Sequence, residues 1–402
     1  MSKFLKKILA AGRLVQGGRL AEATTAIQRA LAPGAAKAAR GAAASGDPAP
    51  AAALATIDRA PVRERSWIDV DEAAAVEPAV TRPSGSPRFE ESSFTCAAGT
   101  RSFKLFEPAG IDGSARPLVV MLHGCTQSPD DFAAGTRMNE LAEAEGFYVL
   151  YPAQAPRSNA HKCWNWFVPA DQRRGAGEPA LLAGMTRHVM QTHAIDADRV
   201  FVAGLSAGGA MAAILAREYP DLFAAAGVHS GIAPGVAHDV ASAFTVMKGG
   251  PGTAAAWHTP TSASMPLWTA APAPAASTPG SAKAGLPSAP VIVFHGDADA
   301  TVAPANGDAV IAAALEGATP TRRDDSQGRA SNAARGHRRS VWHAESSSDP
   351  ARTLAEQWVV QGAPHAWSGG ASKGSFTDPS GPDASREMLR FFLAHPRRSE
   401  SA

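Results

Sequence analysis

The sequence predicts an α/β fold over residues 89–397 of the 402-residue chain, with a mainly parallel central sheet flanked by helices. Two observations carry this expectation. From Arg116 onward, short apolar runs of β character alternate with longer runs of helical periodicity, the pattern of strand–helix–strand crossovers. At one junction, Val200-Phe201-Val202-Ala203 feeds Gly204-Leu205-Ser206-Ala207-Gly208 and an alanine-rich helical run follows at once. The two glycines omit the side chains that would collide where a strand reverses sharply into a helix, and the turn lifts the Ser206 hydroxyl clear of the sheet edge.

The elements follow in order. Arg116 to Leu122 reads as a strand, 131–145 as one helix, Phe147 to Tyr151 as a strand and 178–193 as a helix. A strand over 199–203 precedes the helix that runs from Ser206 to about Tyr219, and Phe223 to His229 returns as a strand. Pro290 to Phe294 and Ala355 to Val360 are later strands, and Ser385 to Ala394 is a closing helix. The arginine- and aspartate-rich stretch 322–339 is expected to be a solvated surface loop. The Pro/Ala-rich stretch 249–289 keeps Trp257, Met265, Leu267 and Trp268, which a pure linker does not need, and is taken as an insertion over the site.

Upstream, residues 1–40 form a basic amphipathic helical segment in which Lys3, Lys6, Lys7, Arg13, Arg19, Arg29, Lys37 and Arg40 face a single acid, Glu22. One reading is attachment to an anionic granule or membrane surface. The simpler reading, which we favour, is a helical hairpin with a solvated charged face. Lys6, Lys7 and Arg13 interrupt the apolar residues, so a cleavable secretory signal is not expected. Residues 41–88, rich in Ala, Pro and Gly, read as a linker.

Composition narrows the function classes. A formal net charge of +1 gives nucleic-acid binding no global electrostatic support. No apolar run approaches the roughly 20 residues of a membrane-spanning helix. No His, Cys and carboxylate cluster has metal-ligand spacing, and no cofactor is expected.

The remaining motifs complete a nucleophilic site. A serine hydroxyl needs a base within reach and an acid to orient that base, and in an α/β-hydrolase fold they follow in the order Ser, acid, His. The strand ending at Phe294 opens into His295-Gly296-Asp297-Ala298-Asp299, where Asp297 and Asp299 compete as the acid and the pattern favours Asp299. His365 lies directly after the last strand, whereas His337 sits in an arginine-rich loop and His343 in a strand-like run. The backbone N–H groups of Ala207 and Cys125 are the candidate oxyanion-hole donors. A second pentad match, Gly370 to Gly374, has neither strand before it nor helix after it and reads as a loop. Cys163-Trp164-Asn165-Trp166-Phe167 is unusually aromatic for a chain with 6% aromatics. It could line an apolar cleft or fill core, and Trp164 and Trp166 are its candidates for substrate contact.

The motifs HGCTQS (123–128), CWNWF (163–167), RGAGEP (174–179), RVFVAGLSAGGAM (199–211), HGDADATV (295–302) and GAPHAWSGG (362–370) together resemble the poly(3-hydroxybutyrate) depolymerase family, relatives of feruloyl and acetylxylan esterases. The resemblance implies an α/β-hydrolase fold, Ser206 as nucleophile, Asp299 as acid, His365 as base and the Cys125 amide in the oxyanion hole. It implies hydrolysis of 3-hydroxyalkanoate esters; this chain departs from the family in having 37 residues after His365 where a substrate-binding domain is usual, so amorphous polymer, oligomers or small esters are expected rather than crystalline polymer. Feruloyl or acetyl ester hydrolysis is the alternative, and a non-catalytic granule- or membrane-surface protein is a more distant one. An extracellular location follows from the resemblance and is not supported by the N-terminal residues. The motifs also bring Cys125 and Cys163 near the site, where a disulfide between them would brace the oxyanion loop and leave Cys96 free. Thiol counting on the denatured, oxidised protein is expected to find one free thiol; three would refute the pairing.

Overall fold

Side chains alternate across a sheet, so a strand covered on both sides is apolar along most of its length. The computed structural model describes residues 85–250, 288–331, 333–344 and 352–397. The expected basic segment 1–40, the linker as far as residue 84 and residues 251–287 of the insertion lie outside them.

The chain enters through strands β1 (Arg88–Cys96), β2 (Gly99–Glu107) and β3 (Arg116–Leu122), then helices α1 (Pro129–Thr136) and α2 (Met138–Glu145). Strand β4 (Tyr148–Pro152), helix α3 (Gly177–Thr192), strand β5 (Ile195–Leu205) and helix α4 (Ala207–Glu218) follow. Next come β6 (Ala225–His229), α5 (Val240–Gly249), β7 (Val291–Gly296) and α6 (Ala305–Ala314). The chain closes with β8 (Arg322–Gly328), β9 (His337–Ala344), β10 (Arg352–Val360), the short pair β11 (Trp367–Ser368) and β12 (Thr377–Asp378), and α7 (Ala384–Leu393).

Ten strands form one sheet in the order β1-β2-β4-β3-β5-β6-β7-β10-β9-β8. The central run from β4 to β10 is parallel, and an antiparallel hairpin flanks it on each side. Leu118, Val120 and Leu122 of β3 share one buried face with Val200, Val202 and Val228, against Leu182, Met185, Met211 and Ile214 of α3 and α4. Val119 and Met121 share the other with Phe201, Ile292 and Phe294, against Met138, Leu141, Met388 and Phe392 of α2 and α7.

Two expectations are corrected. The helix over 131–145 is two helices, broken at Arg137, whose φ of 57° is left-handed. Tertiary bonds break it: the Gly135 carbonyl accepts from the Ala371 amide at 2.8 Å and the Thr136 carbonyl from Ser385 Oγ at 2.6 Å. Those carbonyls are then not available to continue the helical ladder. Only the middle of the stretch 322–339 is loop, and both of its ends are strand. Residues 322–328 pair antiparallel with 337–343, and Arg339 makes two bonds, of 2.8 and 2.9 Å, to the buried carboxylate of Glu356. Charges along the free edge of β8 discourage pairing with another chain, and the same charges give it a loop-like composition.

Phe201 and Phe392, both fully buried, stack across the second face with ring centroids 5.0 Å apart. Phe392→Ala is expected to cost about 3–5 kcal/mol, read as a lower urea midpoint at unchanged slope. A wild-type midpoint would contradict this packing account.

Candidate active site

Strand register brings the predicted groups to one edge. Leu205 pairs with His229, and His229 with Phe294, while Val359 pairs with His295 and Val360 with Gly296. The segments that carry Ser206, Asp299 and His365 therefore leave the parallel run at its carboxyl end, where ligands bind in open α/β sheets.

Ser206 stands between β5 and α4 with φ 58° and ψ −118°, a strained conformation for a residue with a Cβ. Its amide donates to the His229 carbonyl at 2.9 Å. A Cβ on Gly204 would lie 2.3 Å from the Gly208 backbone, and one on Gly208 would lie 2.0 Å from the Leu122 carbonyl oxygen. Both glycines are thus required by backbone contacts that no rotamer change relieves.

Asp299 is buried at 5% exposure. Its Oδ2 accepts from His365 Nδ1 at 2.7 Å, and its Oδ1 accepts from the Thr301 and Val302 amides, both at 2.8 Å. Burial pushes the Asp299 carboxyl up, but the His365 bond and charge and the Val302 amide outweigh it and hold the group below its ordinary value. Asp297 does different work: its Oδ1 accepts from the Gly362 amide at 2.6 Å and joins the acid loop to the histidine loop. His337 and His343 both lie on β9, outside this cluster. Among the described residues, neither Ser206 Oγ nor His365 Nε2 makes a hydrogen bond.

Opposite the histidine, β3 ends in His123-Gly124-Cys125. His123 Nε2 accepts from the Gln154 amide at 3.1 Å, so Nδ1 carries the proton and donates to the Gly124 carbonyl at 2.7 Å. Gln127 Oε1 accepts from the Gly124 amide at 2.9 Å while its Nε2 donates to Asp131 and to the Ser375 carbonyl. Among the described residues, neither the Cys125 amide nor the Ala207 amide donates a hydrogen bond.

Cys125 and Cys163 are joined by a disulfide and Cys96 is free. Trp164 and Trp166, the candidates for substrate contact, lie in the buried core cluster, and the half-buried Cys163 and Phe167 pack against it. Trp164 is 0% exposed, and its indole N–H donates to the His123 carbonyl at 3.1 Å. Trp166, 6% exposed, packs edge-on to Phe167.

Two groups escaped the sequence reading. Glu178 is buried, accepts from the Asn165 amide at 2.7 Å and from Asn165 Nδ2 at 3.0 Å, and also takes the Gln154 amide nitrogen and Arg101. It is the second residue of α3, directly after the glycines of RGAGEP, and that acid at a helix start is the signal. Phe376 is 46% exposed with φ 52°. Its carbonyl accepts from the Trp367 amide at 2.7 Å, and its neighbour Ser375 is bonded to Gln127. This aromatic is therefore pinned between the histidine loop and the oxyanion loop.

A parallel sheet with a serine on a strained strand-to-helix turn, and with acid and histidine on later loops of the same edge, is the α/β-hydrolase fold. Within that fold the family is defined by sequence. Residues 101–323, more than half of the chain, match the family model described as Esterase PHB depolymerase, and the chain belongs to that family. It is 36% identical over 235 residues to poly(3-hydroxyalkanoate) depolymerase C of Paucimonas lemoignei, covering 58% of this chain and 52% of that one. Feruloyl esterase B of Thermothelomyces thermophilus is 35% identical over 140 residues, 35% of this chain and 47% of its own. A probable acetylxylan esterase A of Neosartorya fischeri is 37% identical over 119 residues, 29% of this chain and 32% of its own. The chain spans about half the length of the first two relatives.

The buried imidazoles set an acid limit on stability. Burial pushes His123 down to about 4, and burial with the charges of His295 and His365 pushes His229 down to about 3. Unfolded, both take up protons below about pH 6.5. Their contribution is therefore complete above that pH and is lost as pH falls toward the folded values. Urea midpoints are expected to drop steadily from about pH 6.5 to about pH 4. A flat profile over that span would overturn the neutral burial of these rings.

Proposed function

We propose that this protein is a serine esterase that hydrolyses 3-hydroxyalkanoate esters, poly(3-hydroxybutyrate) or its oligomers, through an acyl-enzyme on Ser206. The observation that carries the reading is the 2.7 Å bond from His365 Nδ1 to buried Asp299, at the sheet edge that also presents Ser206. That bond leaves Nε2 as the basic nitrogen.

In the first step Nε2 takes the Ser206 proton as Oγ attacks the ester carbonyl carbon. The carbonyl oxygen becomes an oxyanion between the Cys125 and Ala207 amides. Collapse expels the alcohol, which receives the proton from Nε2, and the acyl group stays on Oγ. Water then repeats the sequence, giving its proton to Nε2, and releases the hydroxy acid and free serine. Asp299 stays ionised throughout and stabilises the imidazolium. The depolymerase relative supports the substrate class, as does the exposed aromatic Phe376 beside the oxyanion loop. The feruloyl and acetylxylan esterase relatives support a second reading, esters of plant polysaccharide.

Ser206→Ala is expected to lower kcat by on the order of 10⁴ to 10⁶. The test offers wild type and variant amorphous poly(3-hydroxybutyrate), a feruloyl ester and a short p-nitrophenyl ester. Serine-dependent release of 3-hydroxybutyrate or its oligomers is the expected result. Ferulate release without attack on polymer would move the substrate to the second reading, and an active Ser206→Ala would end both.

A further inference from the structure

His229 closes β6 directly beneath the site and is 1% exposed. Its backbone carbonyl accepts the Ser206 amide at 2.9 Å. Its side chain reaches the other loop: Nε2 accepts the Ser368 amide at 2.9 Å. Because Nε2 accepts, Nδ1 carries the proton and donates to Ser230 Oγ at 3.2 Å. The ring stacks on Trp367 with centroids 5.1 Å apart and on Phe294 at 5.8 Å. One residue thus holds the turn of the nucleophile through its main chain and the loop of the base through its side chain.

We propose that His229 is a positioning residue that sets the spacing between the Ser206 turn and the His365 loop. The proposal rests on the esterase reading above. The span between its two grips is one side chain long, and stacking on Phe294 and Trp367 holds its ring in place. Anything that loosens the side-chain grip lets the segment carrying His365 drift relative to Oγ. Proton transfer from Ser206 is sensitive to that drift, since a displacement of about 1 Å can cost about a hundredfold in rate.

The pairing of properties explains the residue type. The slot between Phe294 and Trp367 takes a flat ring, and the Ser368 N–H needs an acceptor at the ring edge; imidazole has both. Phenylalanine keeps the ring without the acceptor, and glutamine keeps an acceptor near Nε2 without the ring. Burial holds His229 in the neutral form, so the accepting lone pair persists through the working pH range. His229 does not contact the ester, which predicts a loss in kcat at nearly constant KM.

The experiment compares wild type with His229→Phe, His229→Gln and His229→Asn on a p-nitrophenyl ester, with kcat referred to folded protein by near-ultraviolet circular dichroism. His229→Phe is expected to lower kcat about a hundredfold with KM within about twofold. His229→Gln is expected to recover at least about tenfold of that loss, and His229→Asn, whose acceptor stops short of Ser368, is not. The Gln and Asn variants both lack the ring, so their ratio decides the matter even if His229→Phe does not fold. Equal rates in that pair, wild-type kcat in His229→Phe, or an effect confined to KM would overturn the proposal. Ser206→Ala separates the two readings. If it is inactive while His229→Phe is fully active, only the positioning role fails; if it is active, the esterase reading fails and the positioning role with it.

Discussion

The approach of three backbone segments around Gly204, Gly208 and the Leu122 carbonyl is the constraint on which the site depends. A single methyl group at Gly208 would sit 2.0 Å from the Leu122 oxygen. With no side chain there, α4 starts directly against the end of β3. This contact does two things at once. It turns Ser206 into a left-handed conformation that points its side chain away from the sheet. It also brings the start of α4 alongside the segment that continues from Leu122 to Cys125, the arrangement that the proposed oxyanion site requires. The positive end of the α4 dipole adds to the same stabilisation.

The rest of the architecture holds loops against that turn. On one side stand the Cys125–Cys163 disulfide, the Trp164 bond to the His123 carbonyl and the Gln127 clamp on Gly124. Glu178 anchors the 163–167 run from below, with burial raising its carboxyl above the ordinary value. Breaking such a buried carboxylate away from its donors costs far more than the net worth of the contacts, so the network holds its loop in one arrangement. On the other side, Asp297 and the Asp299–His365 bond tie the acid loop to the histidine loop. None of these braces needs to touch an ester to matter.

What could be read from the residues follows from this division. Central strands carry near-continuous apolar runs because both faces are covered, and their ends are legible to within a few residues. The Ser, acid, His order is carried by short motifs at strand ends, and the choice of Asp299 over Asp297 agrees with the observed bonds. The edge hairpins were not legible, since β1 and β8 are largely exposed and polar. The break at Arg137 was hidden because its cause lies about 240 residues away, at Ala371 and Ser385. Trp164 was ambiguous for a related reason: an aromatic cluster near a site has the same sequence whether it faces the cleft or fills the layer beneath it.

Burial also separates chemistry from substrate choice. Asp299, Trp164, Glu178 and His229 are all at most 5% exposed, whereas Phe376 is 46% exposed. Losing one oxyanion donor costs about 2.7–4 kcal/mol in the barrier, while one methylene in an apolar pocket discriminates by about 1–3 kcal/mol. On the proposed mechanism, a substitution in the buried layer lowers turnover on every ester, whereas one at the outer rim changes which ester is preferred. Relatives named for polyester, feruloyl and acetylxylan substrates can then share sequence with one and the same chain. On this view, the groups that choose the ester must be sought on the outward loops, Phe376 among them, and not in the layer that holds Ser206 and His365.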